Sequence, residues 1–230
     1  IMSPTLLALM AVDEGRLSLY DSADKFFDFN KIAAELNLPF SEGSANIQNV
    51  NVLELLTHTS GIRGHVILEN YNRDRRAVLS SIAGLPLGKK GVPEYSCLGF
   101  IVLGKILEKI YGEGLDSLAE KKIFKPLDMR RTCYCPLEKG FLREDIMASE
   151  LSPFTNEAFQ GVVHDENARF MGGVSANAGV FSCLNDVYKY ALSLVLDRPS
   201  LVSKGMLELA TKNYTPGFDV FRGLGFQLAG

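Results

Sequence analysis

The chain has 230 residues, of which 47% are hydrophobic and 22% charged, with a formal net charge of -3. That is ample apolar material for a large core, and the interspersed charges leave no basic footprint for nucleic acid or an anionic membrane surface. The longest apolar run, Leu98 to Leu107, carries Lys105 and falls short of a bilayer span, so no transmembrane segment is expected.

In chain order, Ile1-Met2-Ser3-Pro4 has no basic n-region and is not read as a signal peptide. Thr5 to Glu14 is predicted as an amphipathic helix, with Leu6, Leu9, Met10 and Val12 at helical spacing and Gly15 closing it. Arg16 to Asp21 then leaves as an extended segment, and residues 22 to 49 are mixed and turn-rich. Asn51 and Glu54 form a capping box for a short helix over 51 to 58, and a polar, Arg-rich stretch runs to about residue 80. The cluster Arg73, Arg75 and Arg76 is flanked by Asp74 and reads as a solvated face.

A loop with Gly88, Gly91 and Pro93 leads into a core helix from about Leu98 to Tyr111. Ser117 and Glu120 are read as a second capping box, with Pro126 ending that helix. Residues 140 to 180 look irregular. A helix from near Ser182 places Val187, Tyr188, Ala191, Leu192 and Val195 in register, and a shorter one starts at Ser203. Phe221 to Ala229 is predicted as the first strand of a sheet that the chain does not complete.

The cysteines, Cys97, Cys133, Cys135 and Cys183, lack C-x-x-C spacing, and His58, His65 and His164 offer no i, i+4 pair. A metal site is not expected from such spacing.

Two segments carry the chemistry. In Leu55-Leu56-Thr57-His58-Thr59-Ser60-Gly61, His58 is placed in the last helical turn with its side chain toward the orphan carbonyls, and Gly61 supplies a left-handed closure. By itself this describes a well-capped helix end. In Pro93-Glu94-Tyr95-Ser96-Cys97-Leu98-Gly99, a tyrosine stands on the loop before a buried helix, where a rigid scaffold can hold a phenol at a cleft mouth but where a half-buried anchor is by far the commoner occupant.

Together these strings resemble the beta-lactamase-related serine hydrolases, a group that includes class C beta-lactamases, D-alanyl-D-alanine carboxypeptidases and esterases. The first matches the LLTHTSG signature, and Tyr95-Ser96-Cys97 falls at the Tyr-x-Asn motif. Residues 123–132 are similar to the PLGM segment, and Gly161 to Ala168 and Gly172 to Ser182 to the VHDENA and GGVAGHAGLFS segments, with Asn177 where histidine is common. The resemblance implies an α+β fold of the penicillin-binding-protein type, with residues 1–230 a partial domain: the helical subdomain plus part of the helix-flanked antiparallel sheet.

It also implies a serine hydrolase acting on an ester or amide, in a small molecule or peptide, through an acyl-enzyme, with no cofactor. Tyr95 is the implied catalytic proton carrier, which needs a neighbouring cation because an ordinary phenol has a pKa near 10. Cys97 is the implied substrate-binding residue, although a thiol is a poor substitute for the usual amide. His164, Asp165 and Glu166 are read as structural hydrogen-bonding residues rather than catalysts or ligands.

The family's Ser-x-x-Lys nucleophile is not matched in place: counting back along the first helix puts the lysine at Ile1 or just before it. The literal match Ser22-Ala23-Asp24-Lys25 follows that helix without a cap-then-apolar pattern and is rejected. The expectation is a piece lacking both ends and inactive by itself. A catalytically dead homologue serving as a binding or sensor module is the alternative, and an unrelated helical interaction domain is the bland one.

Overall fold

The computed structural model describes residues 2–35, 47–70, 74–151, 156–196 and 201–229. Ile1, part of the turn-rich region at 36–46, and Arg73 lie outside the described residues.

Helix α1 (Met2–Asp13) is buried at every position from Ser3 to Ala11. It is therefore enclosed by protein on all sides, not amphipathic as its spacing predicts. It also starts at Met2 rather than Thr5, with Pro4 accommodated in a first turn that has no intrahelical acceptor for its missing N–H. Gly15 ends it in the left-handed region, and Arg16 N returns to Ala11 O at 2.9 Å. The following segment is not extended throughout: Asp21 N closes a turn on Ser18 O at 3.1 Å.

After α2 (Phe29–Glu35) comes α3 (Val52–Leu56), whose predicted capping box forms: Glu54 N donates to Asn51 Oδ1 at 2.9 Å and Asn51 N to Glu54 Oε2 at 3.0 Å. The polar stretch hides a further helix, α4 (Val78–Ala83), packed on α2. Helix α5 (Cys97–Tyr111) is capped by the Ser96 hydroxyl and closed by Gly112, and its buried face, including Phe100, Ile101 and Leu103, meets α1 and α3.

The predicted Ser117–Glu120 box does not form. Helix α6 (Leu115–Ala119) begins after Gly114, passes into a π-turn over Glu120–Phe124, and leaves Ser117 Oγ donating to Glu113 Oε2 at 2.9 Å. Glu120 instead pairs with Lys125 and Lys139.

Strand β1 (Cys133–Tyr134) pairs antiparallel with β2 (Val180–Phe181), Cys133 opposite Phe181 and Tyr134 opposite Val180. Between them lies the short α7 (Glu166–Phe170), and beyond them α8 (Leu184–Val195) and α9 (Lys204–Ala210), the latter capped by Ser203 as predicted. Helix α8 faces the opposite way from its apolar register. It buries Asp186, Tyr190 and Ser193 and exposes Leu184, Val187, Tyr188 and Val195. Asp186 decides this, because its carboxylate accepts Arg131 N at 2.7 Å and Thr132 Oγ1 at 2.9 Å from the turn before β1.

The segment Phe221 to Ala229 is not a sheet strand. It doubles back, with Arg222 bridged to Gln227, and it donates Leu224 N to Ala210 O at 2.8 Å and Gly225 N to Leu56 O at 2.9 Å. Those acceptors are orphan carbonyls at the ends of α9 and α3, so the tail serves as a shared C-terminal cap. Among the described residues no helix is long and apolar enough to cross a membrane.

Candidate active site

The two sequence segments singled out above meet in space. Gly88 N donates to Gly61 O at 2.7 Å, Gly91 N to Thr59 O, Glu94 N to His58 O and Cys97 N to Gly64 O, the last three each at 2.8 Å. The loop carrying Tyr95 is thus tied along its length to the loop after α3. Two glycines permit the approach: a Cβ on Gly61, at φ +74°, would lie 2.7 Å from Gly88 O, and one on Gly64 would lie 2.8 Å from Tyr95 O.

Ser96 and His58 fix what the loop presents. The buried Ser96 hydroxyl donates to Arg63 O at 2.8 Å and accepts Gly99 N at 2.9 Å, while Ser96 N donates to His58 Nδ1 at 3.0 Å. His58 therefore accepts through Nδ1 and is not a donor to helix carbonyls, which corrects the sequence reading. It lies beyond the helix in the left-handed region at φ +57°, a conformation histidine tolerates better than most side chains. Burial, helped by the positive charge of Arg222, lowers its pKa to about 4, so the ring is neutral. The imidazole lies between Tyr95 and Phe100, at centroid distances of 4.8 and 4.9 Å.

Tyr95 is held on one face by His58, while Arg222 Cζ stands 6.0 Å from its ring centroid; 47% of the residue stays exposed. Its pKa is pushed up to about 12, first by partial burial and then by the adjoining Cys97 thiol and the Asp165 carboxylate, with Arg222 opposing. The phenol therefore keeps its proton at neutral pH. It becomes a base only when a further cation comes close.

Cys97, the first residue of α5, is partly buried, and burial together with Asp165 raises its thiol pKa. Asn177 is turned toward it with a buried Nδ2 that lacks a hydrogen-bond partner. From Asn177 a polar chain runs to α1: Ser175 Oγ donates to Asn177 Oδ1 at 2.6 Å, Tyr134 OH to Ser175 O at 3.2 Å, and Ser3 Oγ meets Tyr134 OH at 3.0 Å. The opening turn of α1 is thereby connected through buried groups to Asn177, which stands beside Cys97.

The literal Ser-x-x-Lys match does not form a nucleophile pair. Ser22 Oγ donates to Asp24, and Lys25 Nζ to Asp21 Oδ1 at 2.7 Å. Asp165 caps α7 by accepting Ala168 N at 2.7 Å, a structural role in keeping with the sequence reading. Two residues of this region escape sequence reasoning. Arg222 sits in a tail read as a strand, and Asn167, wholly buried, donates to Val66 O and accepts Leu68 N across nearly a hundred residues. Nothing local signals either one.

A family model described as beta-lactamase matches residues 5–230. The chain is 30% identical over 200 residues to an N-acetylmuramyl-L-alanine amidase of Bacillus subtilis (strain 168), a match covering 76% of this chain and 43% of the relative. It is 33% identical over 161 residues to an Escherichia coli (strain K12) protein provisionally named a D-alanyl-D-alanine carboxypeptidase, covering 60% and 37% respectively. The chain thus spans less than half the length of these relatives. The octameric penicillin-binding protein homologue from Pyrococcus abyssi superposes with a TM-score of 0.71 at 23% identity, covering 98% of this chain and 52% of that one.

Proposed function

We propose that this chain, which belongs to the beta-lactamase family, contributes the tyrosine wall of a serine hydrolase that cleaves an ester or amide through an acyl-enzyme. The observation that carries the reading is the fixed Tyr95 phenol: its loop is tied by four backbone hydrogen bonds to the loop after α3. A general acid or base must be held within hydrogen-bonding reach of the reacting atoms, and tethering of this kind provides that.

In the proposed reaction a serine on a helical Ser-x-x-Lys attacks the carbonyl while the lysine ammonium lowers the phenol's pKa enough for Tyr95 to exchange a proton with the nucleophile and the leaving group. Water then releases the acyl group. Cys97 lines the substrate face in the place where an amide is usual. The names of the two relatives, an amidase and a provisional carboxypeptidase, favour an amide bond over an ester.

The test is turnover by the product of the whole open reading frame, with p-nitrophenyl acetate and a D-alanyl-D-alanine peptide as substrates. Tyr95→Phe is expected to lower kcat by roughly 10²- to 10⁴-fold while leaving the melting temperature in place. Wild-type rates in Tyr95→Phe, or labelling by a serine-directed fluorophosphonate that no Ser-x-x-Lys serine accounts for, would refute the proposal. Residues 1–230 by themselves are expected to be inert toward p-nitrophenyl acetate, since Ser22 and Lys25 are each engaged by an aspartate.

A further inference from the structure

His65, Cys97 and Asp165 arrive from three separate segments, yet a ring nitrogen, the thiol sulfur and a carboxylate oxygen all lie within 4.8 Å of one another. The backbone sets this meeting. Cys97 N donates to Gly64 O at 2.8 Å, which fixes the residue before His65, and Asn167 pins the turn carrying Asp165 to Val66 and Leu68, just after it. Spacing along the sequence gave no hint of a ligand set, because each donor is alone in its own segment.

One imidazole nitrogen, one thiol sulfur and one carboxylate oxygen are a donor set for tetrahedral Zn²⁺, whose bonds of about 2.0 to 2.3 Å hold ligand atoms roughly 3.3 to 3.8 Å apart. The observed spacing is a side-chain adjustment away from that. Oxygen-seeking Mg²⁺ and Ca²⁺ are disfavoured by the thiol.

An outer layer is also present. Asp165 Oδ1 is oriented by Ala168 N, Glu166 Oε2 stands 3.9 Å from His65 Nε2, and the unpaired, buried Asn177 Nδ2 faces Cys97, where it can donate to a metal-bound thiolate.

We propose that His65, Cys97 and Asp165 form a three-ligand site for Zn²⁺ or a similar borderline-soft divalent metal beside Tyr95, with the fourth position open. This goes beyond the hydrolase reading and does not depend on it.

The experiment titrates the chelator-treated protein with Zn²⁺ by calorimetry and with Co²⁺ by absorption. One equivalent is expected to bind, with a sulfur-to-cobalt charge-transfer band, and Zn²⁺ should slow alkylation of Cys97 by iodoacetamide at least roughly tenfold. Cys97→Asn should abolish the band, and His65→Gln and Asp165→Asn should each weaken binding roughly 10- to 100-fold. The last of these keeps α7 capped, because asparagine caps as well as aspartate. Cys133→Ser is the control and should change neither quantity.

Absence of stoichiometric binding, a band that survives Cys97→Asn, or an alkylation rate indifferent to Zn²⁺ would overturn the assignment. The alkylation readout uses wild-type protein and so does not depend on a variant folding.

Discussion

Acidification should destabilise this protein through His58 before its paired carboxylates titrate. The imidazole is 4% exposed, and its Nδ1 must stay unprotonated to accept Ser96 N, so the folded-state pKa of about 4 lies well below the ordinary 6.5. The unfolded chain takes up that proton first. The stability His58 provides is therefore complete above pH 6.5 and drains away as pH falls toward 4. At about 1.4 kcal/mol per pH unit the full loss is about 3 kcal/mol, of which roughly 2 is gone by pH 5.

The assay is urea unfolding followed by far-ultraviolet circular dichroism at steps from pH 7.5 to 4.5, for wild type and His58→Asn. Asparagine tolerates the left-handed backbone, can accept Ser96 N through Oδ1, and does not titrate. Its unfolding free energy should hold steady between pH 6.5 and 5 while that of wild type falls by roughly 2 kcal/mol. Parallel profiles across that window would refute a neutral buried imidazole.

Three further outcomes follow from packing. Gly104→Ala would set a Cβ 2.6 Å from that of Ala176, so the melting temperature should drop by roughly 2 to 10 °C, corresponding to an overpacking cost of about 1 to 3 kcal/mol; an unchanged melt would show that the 175–177 segment yields freely. Asn167→Ala strands Val66 O and Leu68 N and should cost roughly 2 to 4 kcal/mol, with faster hydrogen exchange at the Leu68 amide as its local signature. Asp186→Ala should lower stability by about 1 to 3 kcal/mol in urea titrations, since it leaves Arg131 N without its acceptor, whereas the Thr132 hydroxyl keeps Ser182 Oγ at 2.7 Å.

Local chemistry was the legible part of this sequence. The Asn51–Glu54 box, the Ser203 cap and the helix around Phe100 are decided by residues within a turn or two of one another, and they stand where they were expected. Ser117 shows the limit of such signals, because a glutamate on its other side, Glu113, captures the hydroxyl that a capping box would use. Helix α8 shows another: a period of 3.6 reveals that two faces differ but not which one the rest of the molecule meets, and here a buried aspartate outweighs an apolar stripe. In α1 no period exists to be found, since all its sides are buried.

The site divides along the same line. The loop position of Tyr95 before α5 was legible in the residues around it, whereas the placement of Arg222, Asn167 and the His65–Cys97–Asp165 grouping depends on folding that brings residues roughly 30 to 130 positions apart into contact.

The donors that hold the Tyr95 loop, at 88, 91, 94 and 97, recur every third residue, and all of them are main-chain amides. Natural variation or directed evolution can therefore rewrite most side chains along this stretch without re-aiming the phenol. Proline is excluded at those four addresses, because it deletes the amide hydrogen itself, and Gly91, at φ +81°, resists any side chain. A library built here has a simple grammar: free choice at most intervening positions, and an imino-acid prohibition on the beat of three.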